Sequence, residues 1–371
     1  MQRHDLVIVG GGIVGSFAAY FARSAHPDWQ IAVIESRAIG TGATRFSAGV
    51  HLPTGSSAHI RTLATRSAQV YAEIDALGMT PAEPGLDAFW VVPGAGLKAL
   101  AAEANGWTIG PATDAQESQF RASYPDAVLV DDEVLAFGGT ARRFDPPQIA
   151  RQLLQHVGGE GLALFEGVRV AQMRVGNDGD TVLTSELGLE LRARRTLLCN
   201  GPWLSGLLGP TVADALGLRV KKVAAMHLAT GRQPEGEGGA GADGAADGAR
   251  AALFWPGSDA YIVPLKGRAQ HLLSFASREW DCDPDSGRIA LSADDYRVAE
   301  AIIARHFSDW RPQICGGRVF CDTYAQDRQP IARIHPEWPS VAIAGAGGGA
   351  GFRLAPAIAE QAITLLEQGV P

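Results

Sequence analysis

The chain has 371 residues, with 32 basic and 40 acidic side chains and a formal net charge of −8. That length exceeds one ordinary core and predicts two domains, or one large domain with a substantial insertion. No block of Lys or Arg is present to track a phosphate backbone, so nucleic acid is not an expected partner.

No segment stays apolar for about 18 residues, and the opening "MQRHDLVIVG" lacks the charged, apolar and small-residue sections of a secretion signal. A cytoplasmic protein without an integral membrane segment is expected. Cys199, Cys282, Cys315 and Cys321 show no CxxC spacing, so neither a zinc knuckle nor a disulfide framework is indicated, and no metal site is expected.

In chain order, the first element is "LVIVGGGIVGSFAAYF". Leu6 to Val9 is a short apolar run, Gly10, Gly12 and Gly15 fit G-x-G-x-x-G, and Ile13 to Arg23 reads as a helix that stops at "HPDW". Strand, tight turn and helix in this order suit a pyrophosphate: the first glycine permits the turn, the second lets backbone approach the anion, and the third lets helix and strand pack closely. A second strand, Ile31 to Ile34, ends in Glu35, twenty residues past Gly15, where a carboxylate accepts hydrogen bonds from ribose hydroxyls. Together these predict a dinucleotide-binding unit.

Then follow a Gly, Ser and Thr-rich segment, "SRAIGTGATRFSAGV", and a helix, "RTLATRSAQVYAEIDALG". "FWVVP" starts a strand-rich stretch, and "LFEGVRVAQMRV" and "TVLTSELGLELRARRTLLCNG" read as strands returning to the first unit. Residues 219–280 again read as strands, interrupted by "GRQPEGEGGAGADGAADGAR", which has almost nothing to bury and is expected to form a flexible insertion near 231–250. Near the C-terminus Val341 to Ala344 is a strand, Gly345 to Gly351 is almost all Gly and Ala, and Pro356 stands where a helix is expected to begin. No HExxH, GxSxG or metal-ligand cluster appears, so hydrolysis has no support.

Four segments resemble the flavin-dependent D-amino-acid oxidase superfamily, which includes glycine oxidase, sarcosine oxidase and the D-amino-acid dehydrogenases: "GATRFSAG", "GGTARRFDPPQIARQLL", "LLCNGPWLSGLLG" and "DRQPIARIHPEWPSVAIAGAGGGAGFRLAPAIAEQAITLL". They span nearly the whole chain. The resemblance implies an α/β fold in which a Rossmann-like FAD-binding domain (1–85, 145–218 and 320–371) interleaves with a substrate domain (86–144 and 219–319) built on a mostly antiparallel sheet. It implies FAD contacts in three groups. The first is Gly10, Gly12, Ile13, Val14 and Gly15 with Glu35, Ser36 and Arg37. The second is Thr44, Arg45, Ser47, Ala48 and Gly49 with Val170, Gly201 and Trp203. The third is Gly347, Gly348, Gly349, Ala350, Gly351 and Phe352.

For the substrate, the resemblance implies Tyr261 in "AYIVPLKG" and Arg353 in "GFRL", the latter as a carboxylate clamp, because a guanidinium fork makes two charge-assisted hydrogen bonds. Arg61 is a second clamp candidate, His51 is expected near the flavin's reactive face, and His271 stands near the position of an oxygen-assisting lysine. Asp322 lies about where glycine oxidase-like members carry an arginine, and either favours an amine-rich substrate or is a surface carboxylate. Noncovalent FAD is expected, with a covalent link through Cys321 as the alternative.

The expected function is FAD-dependent oxidation of the C–N bond of a small amino acid or N-substituted amine, giving an imine that hydrolyses, with O2 or another compound as electron acceptor. The alternatives are a 2-hydroxy-acid or biosynthetic-intermediate dehydrogenase of the same fold, or a flavin-carrying subunit of a larger complex. The oligomeric state is open.

Overall fold

The computed structural model describes residues 3–81, 83–229, 250–265, 270–310 and 312–369. The insertion expected near 231–250 falls outside the described residues, apart from Arg250.

The first sheet is built on the opening strand Arg3–Val9, which pairs in parallel with Ile31–Glu35 on one side and Glu190–Leu198 on the other. Leu162–Glu166 extends it beyond Ile31–Glu35, and Val341–Gly345 and Ile331–Ile334 extend it beyond Glu190–Leu198. The central strands are apolar on both faces because both are covered. Leu6, Ile8, Ile31 and Val33 enter a helix-covered core, while Val7, Val9, Ala32 and Ile34 enter a second core on the opposite face. The covering helices are Ile13–Ala25, Ala58–Ala76, Pro146–His156 and Gly351–Gly369.

The second sheet has nine strands in the order Gln313–Tyr324, Arg219–Ala229, Gln270–Phe275, Ala260–Pro264, Ala251–Trp255, Leu86–Pro93, Glu133–Arg143 and Val50–His51, with Gly110–Pro111 paired to Glu133–Arg143. Its pairings are antiparallel except for Ala251–Trp255 with Leu86–Pro93. One face packs on helices Asp114–Ser123 and Ala293–His306 through Phe89, Phe120, Ile262, Leu273 and Ile303. The other face looks toward the first sheet.

Two boundaries differ from expectation. The division at 320 cuts a strand: Gln313–Tyr324 pairs with Arg219–Ala229 from end to end, so all of it belongs to the second sheet. The last helix begins at Gly351 and contains Pro356 instead of starting there. Proline has no N–H for the carbonyl four residues back. Phe352 supplies that carbonyl, and the Tyr71 hydroxyl donates to it at 2.7 Å. The cost of the proline is thereby offset by a buried side chain from a neighbouring helix.

Candidate active site

Between the two sheets lies a cleft of about 1070 Å³. One end is bounded by Glu35, Arg37, Val170 and Trp203; its middle by Gly12, Thr44 and Ser47; its far end by Gly347 to Arg353, Tyr261 and Asp322.

The glycine turn explains how the first strand and helix reach this cleft. Gly10 has φ +113°, and a Cβ there would lie 2.6 Å from the Cys199 carbonyl oxygen. At Gly15 a Cβ would lie 1.9 Å from the Gly10 carbonyl oxygen, so only glycine lets helix and strand approach this closely. The helix N-terminus therefore opens on the cleft. Its Ile13 N–H is taken by Thr44 Oγ1 at 3.0 Å, a contact between the two nucleotide motifs that the spacing of either one does not reveal.

Glu35 ends the second strand with both carboxylate oxygens engaged. Gly11 N–H donates to Oε2 at 2.8 Å, and Arg37 N–H donates to Oε1 at 2.9 Å. Beyond it, the Arg37 and Arg169 guanidinium groups lie 5.7 and 5.9 Å from the Trp203 ring centre. Trp203 Nε1 donates to Asp285 at 2.9 Å, and Arg169 grips the same carboxylate with bonds of 2.6 and 3.0 Å. These bonds, that from Arg169 first, hold the Asp285 carboxyl below its ordinary range. Asp285 comes from the loop after the second sheet's Gln270–Phe275 strand, so this contact joins the two units across the cleft.

At the far end the glycine loop is fixed by Tyr324. The loop's Gly348 has φ +50°, and a Cβ on it would sit 2.4 Å from the Tyr324 ring, which excludes any larger residue. Phe46, from the second nucleotide motif, stacks on Phe320 with ring centres 4.9 Å apart. Arg353 Nη1 donates to the Leu52 carbonyl at 3.0 Å and to Thr54 through its carbonyl and, at 3.2 Å, its hydroxyl. Burial lowers the Arg353 pKa to about 10, with partial relief from Glu103. No carboxylate forms an ion pair with Arg353 among the described residues.

Tyr261 lies on the cleft wall beside Phe254, with ring centres 5.8 Å apart. Burial raises its pKa, opposed by a hydrogen bond with Ser274. The cleft also takes in Lys221, Asp259 and Arg169, for which no local motif gives a signal. Tyr324 could have been found from the alternation of Phe320, Asp322 and Tyr324 along one strand.

Three expected substrate residues are not brought to the cleft. His51 is 7 % exposed and packs among Tyr71 and Phe144, because its short strand turns the ring into the helix-covered core. Burial, then the charges of Arg353 and Arg142, push its pKa down to about 4. His271 is 6 % exposed and lies against Tyr124 and Trp310 on the helix-covered side of the second sheet, opposite Ser274 on the cleft side. Burial pushes its pKa to about 4 as well. Arg61 donates to the Gly55 carbonyl at 2.9 Å and braces the start of its own helix.

Of the expected cofactor contacts, Gly15 and Arg45 do not line the cleft. Gly15 is covered by its packing partner, and Arg45 is exposed with its guanidinium over the Phe46 ring. The remaining residues of those three groups line it. Cys321 does not, and burial pushes its thiol up to about 12. Among the described residues no helix is long and apolar enough to cross a membrane.

Comparison with curated proteins gives no match. Solved structures of similar fold include three that act on, or are named for, small amino compounds. Glycine oxidase from Geobacillus kaustophilus has a TM-score of 0.71 at 18 % identity, covering 100 % of this chain and 96 % of that one. L-proline dehydrogenase from P. horikoshii has 0.75 at 15 %, covering 100 % and 95 %. Iminodiacetate oxidase from Chelativorans sp. BNC1 has 0.70 at 19 %, covering 99 % and 96 %. The pattern of the DAO family, FAD dependent oxidoreductase, matches residues 5–365, nearly the whole chain, and with the glycine turn, Glu35 and the second glycine loop opening on one cleft, the chain belongs to that family.

Proposed function

We propose that this protein oxidises the C–N bond of a small amine that carries a carboxylate, using noncovalently held FAD, with O2 as electron acceptor. The observation that carries this reading is Arg353: a guanidinium on the cleft wall, beside the second glycine loop, with no carboxylate partner among the described residues. Glycine, iminodiacetate and proline, named as substrates of the three similar structures, all combine an amine with a carboxylate.

In this reading the helix N-terminus that opens at Gly12, beside the Thr44 hydroxyl that holds the Ile13 N–H, takes the pyrophosphate, Glu35 takes the ribose hydroxyls, Val170 and Trp203 border the adenine, and Gly347 to Phe352 border the ring system. When bound, FAD supplies the two-electron acceptor for a hydride leaving the substrate carbon, and water hydrolyses the resulting imine. The chain's own task is placement. Arg353 receives the carboxylate, Tyr261 offers a hydroxyl already oriented through Ser274, and the rings of Phe254 and Phe320 exclude water. A cysteine link is disfavoured because a thiol raised to about 12 is protonated at neutral pH and Cys321 faces away from the cleft.

The test is a panel of amino acids, N-alkyl amino acids and hydroxy acids scored by flavin bleaching without oxygen, then by peroxide release in air. Arg353→Met is expected to weaken the best acidic substrate by about 2–5 kcal/mol, the range for truncating one member of a buried charge pair. Uncharged amines should change far less. Bleaching by hydroxy acids alone, or equal affinity in Arg353→Met, would sink the reading.

A further inference from the structure

Asp322 is a second ionisable group in the same cleft, and no ion pair among the described residues neutralises it. It lies between Phe320 and Tyr324 on the strand Gln313–Tyr324, and all three residues line the cleft. Its carboxylate accepts only the N–H of the next residue, Thr323, at 3.2 Å, and it forms no ion pair among the described residues. Lys221 is its partner in the strand register, yet the Lys221 ammonium lies 4.9 Å from the Trp280 ring centre and 5.6 Å from that of Tyr324. Arg353 is paired with backbone carbonyls of Leu52 and Thr54 instead.

The cleft thus holds an acidic group and a cationic group that do not pair with each other. Leaving an ionised carboxylate unpaired in a protein wall is costly unless it takes up a proton or a ligand completes it. The reacting amine is a poor candidate to do so, because hydride leaves from carbon next to a neutral nitrogen, and an ionised carboxylate beside that nitrogen would favour its protonated form. A separate group with a lasting positive charge is the better match. We infer that Asp322 is a subsite for a second, cationic group of the substrate, such as a guanidinium or a distal ammonium, so that the preferred substrate is a basic amino acid or a similar amine-bearing acid with a cationic tail. This rests on the functional reading above, extending it from an acidic amine to one with a charged tail. Burial raises the Asp322 pKa to about 7, so a cation that completes the site should also displace a proton near neutral pH.

The test uses FAD-loaded protein and equilibrium binding, read from the perturbation of the flavin absorbance and from calorimetry, without oxygen. Matched ligands that differ only in tail charge are compared in both hands: arginine against citrulline and lysine against norleucine. The cationic member should bind at least ten-fold more tightly in one pair, with proton release that grows as pH falls through 7. Asp322→Asn should bring the ratio within two-fold of one, and Asp322→Glu should keep part of it. Equal binding within every pair, or a preference that survives Asp322→Asn, overturns the inference. Failure of the functional reading looks different: cationic ligands would bind through Asp322 and yet no ligand would bleach the flavin.

Discussion

His271 and His51 show what burial does to a titratable side chain when no partner is supplied. Among the described residues, both ring nitrogens of His271 and Nε2 of His51 have no hydrogen-bond partner, and each residue has its pKa pushed down to about 4. An unfolded histidine titrates near about 6.5, so between these values the unfolded chain binds more protons and stability falls as pH falls. The loss begins below about 6.5 and is complete near about 4, with an upper bound on the order of 3 kcal/mol per histidine. His271→Phe should therefore flatten the fall in melting temperature between pH 7 and 4.5, and it leaves no partner stranded. An unchanged slope in that variant would falsify the assignment. At this scale the sequence was informative where one residue type has one physical use. Gly10, Gly12 and Glu35 are such cases. It was uninformative for His51 and His271, because the role of a strand residue depends on which face it occupies, and a shift of one position reverses that.

At the scale of the element, the helix Gly351–Gly369 carries the most information. Its apolar face and the glycine loop before it are legible, but its start is not, since Pro356 reads as a first-turn residue. The helix runs past the proline because Tyr71 hydrogen-bonds to the carbonyl that the proline leaves open. Tyr71→Phe should cost about 1–3 kcal/mol, the penalty of an unsatisfied buried carbonyl. Pro356→Ala supplies the missing N–H, so the same Tyr71→Phe change should cost clearly less in that background. Equal losses in a denaturation cycle over the four proteins would mean that the hydroxyl and the proline are not coupled. The strand Gln313–Tyr324 teaches a related lesson. Its residues pair with Arg219–Ala229, almost a hundred positions earlier, and no local pattern reports which sheet such a strand will join.

For the whole molecule, the two sheets and their order follow from the motifs taken together, whereas the contacts between them do not. Asp285, Arg169 and Trp203 are far apart in sequence and individually unremarkable as a surface acid, a surface base and a loop aromatic. They form a clasp over the end of the cleft next to Glu35 and Arg37. Arg169 and Asp285 are 31 % and 42 % exposed at their side chains, so solvent limits the pair to about 1 kcal/mol. Asp285→Ala should therefore quicken FAD loss on dilution by a few-fold at low salt and by less at high salt, while leaving the melting temperature nearly unchanged. Identical release at both ionic strengths would show that the clasp does not guard that end.

The parallel order of the first sheet also has a consequence for biosynthesis. Arg3–Val9 leaves the ribosome well before its neighbour Glu190–Leu198, which follows the second sheet's strands Val50–His51, Leu86–Pro93 and Glu133–Arg143, and the covering helix Gly351–Gly369 follows later still. A nascent chain stopped at residue 335 would lack Val341–Gly345, the second glycine loop and that helix, leaving Leu6 and Ile8 without their full cover. Translation itself therefore sets a waiting time during which an apolar surface must be shielded by something other than this protein, and chaperone demand should peak in that window.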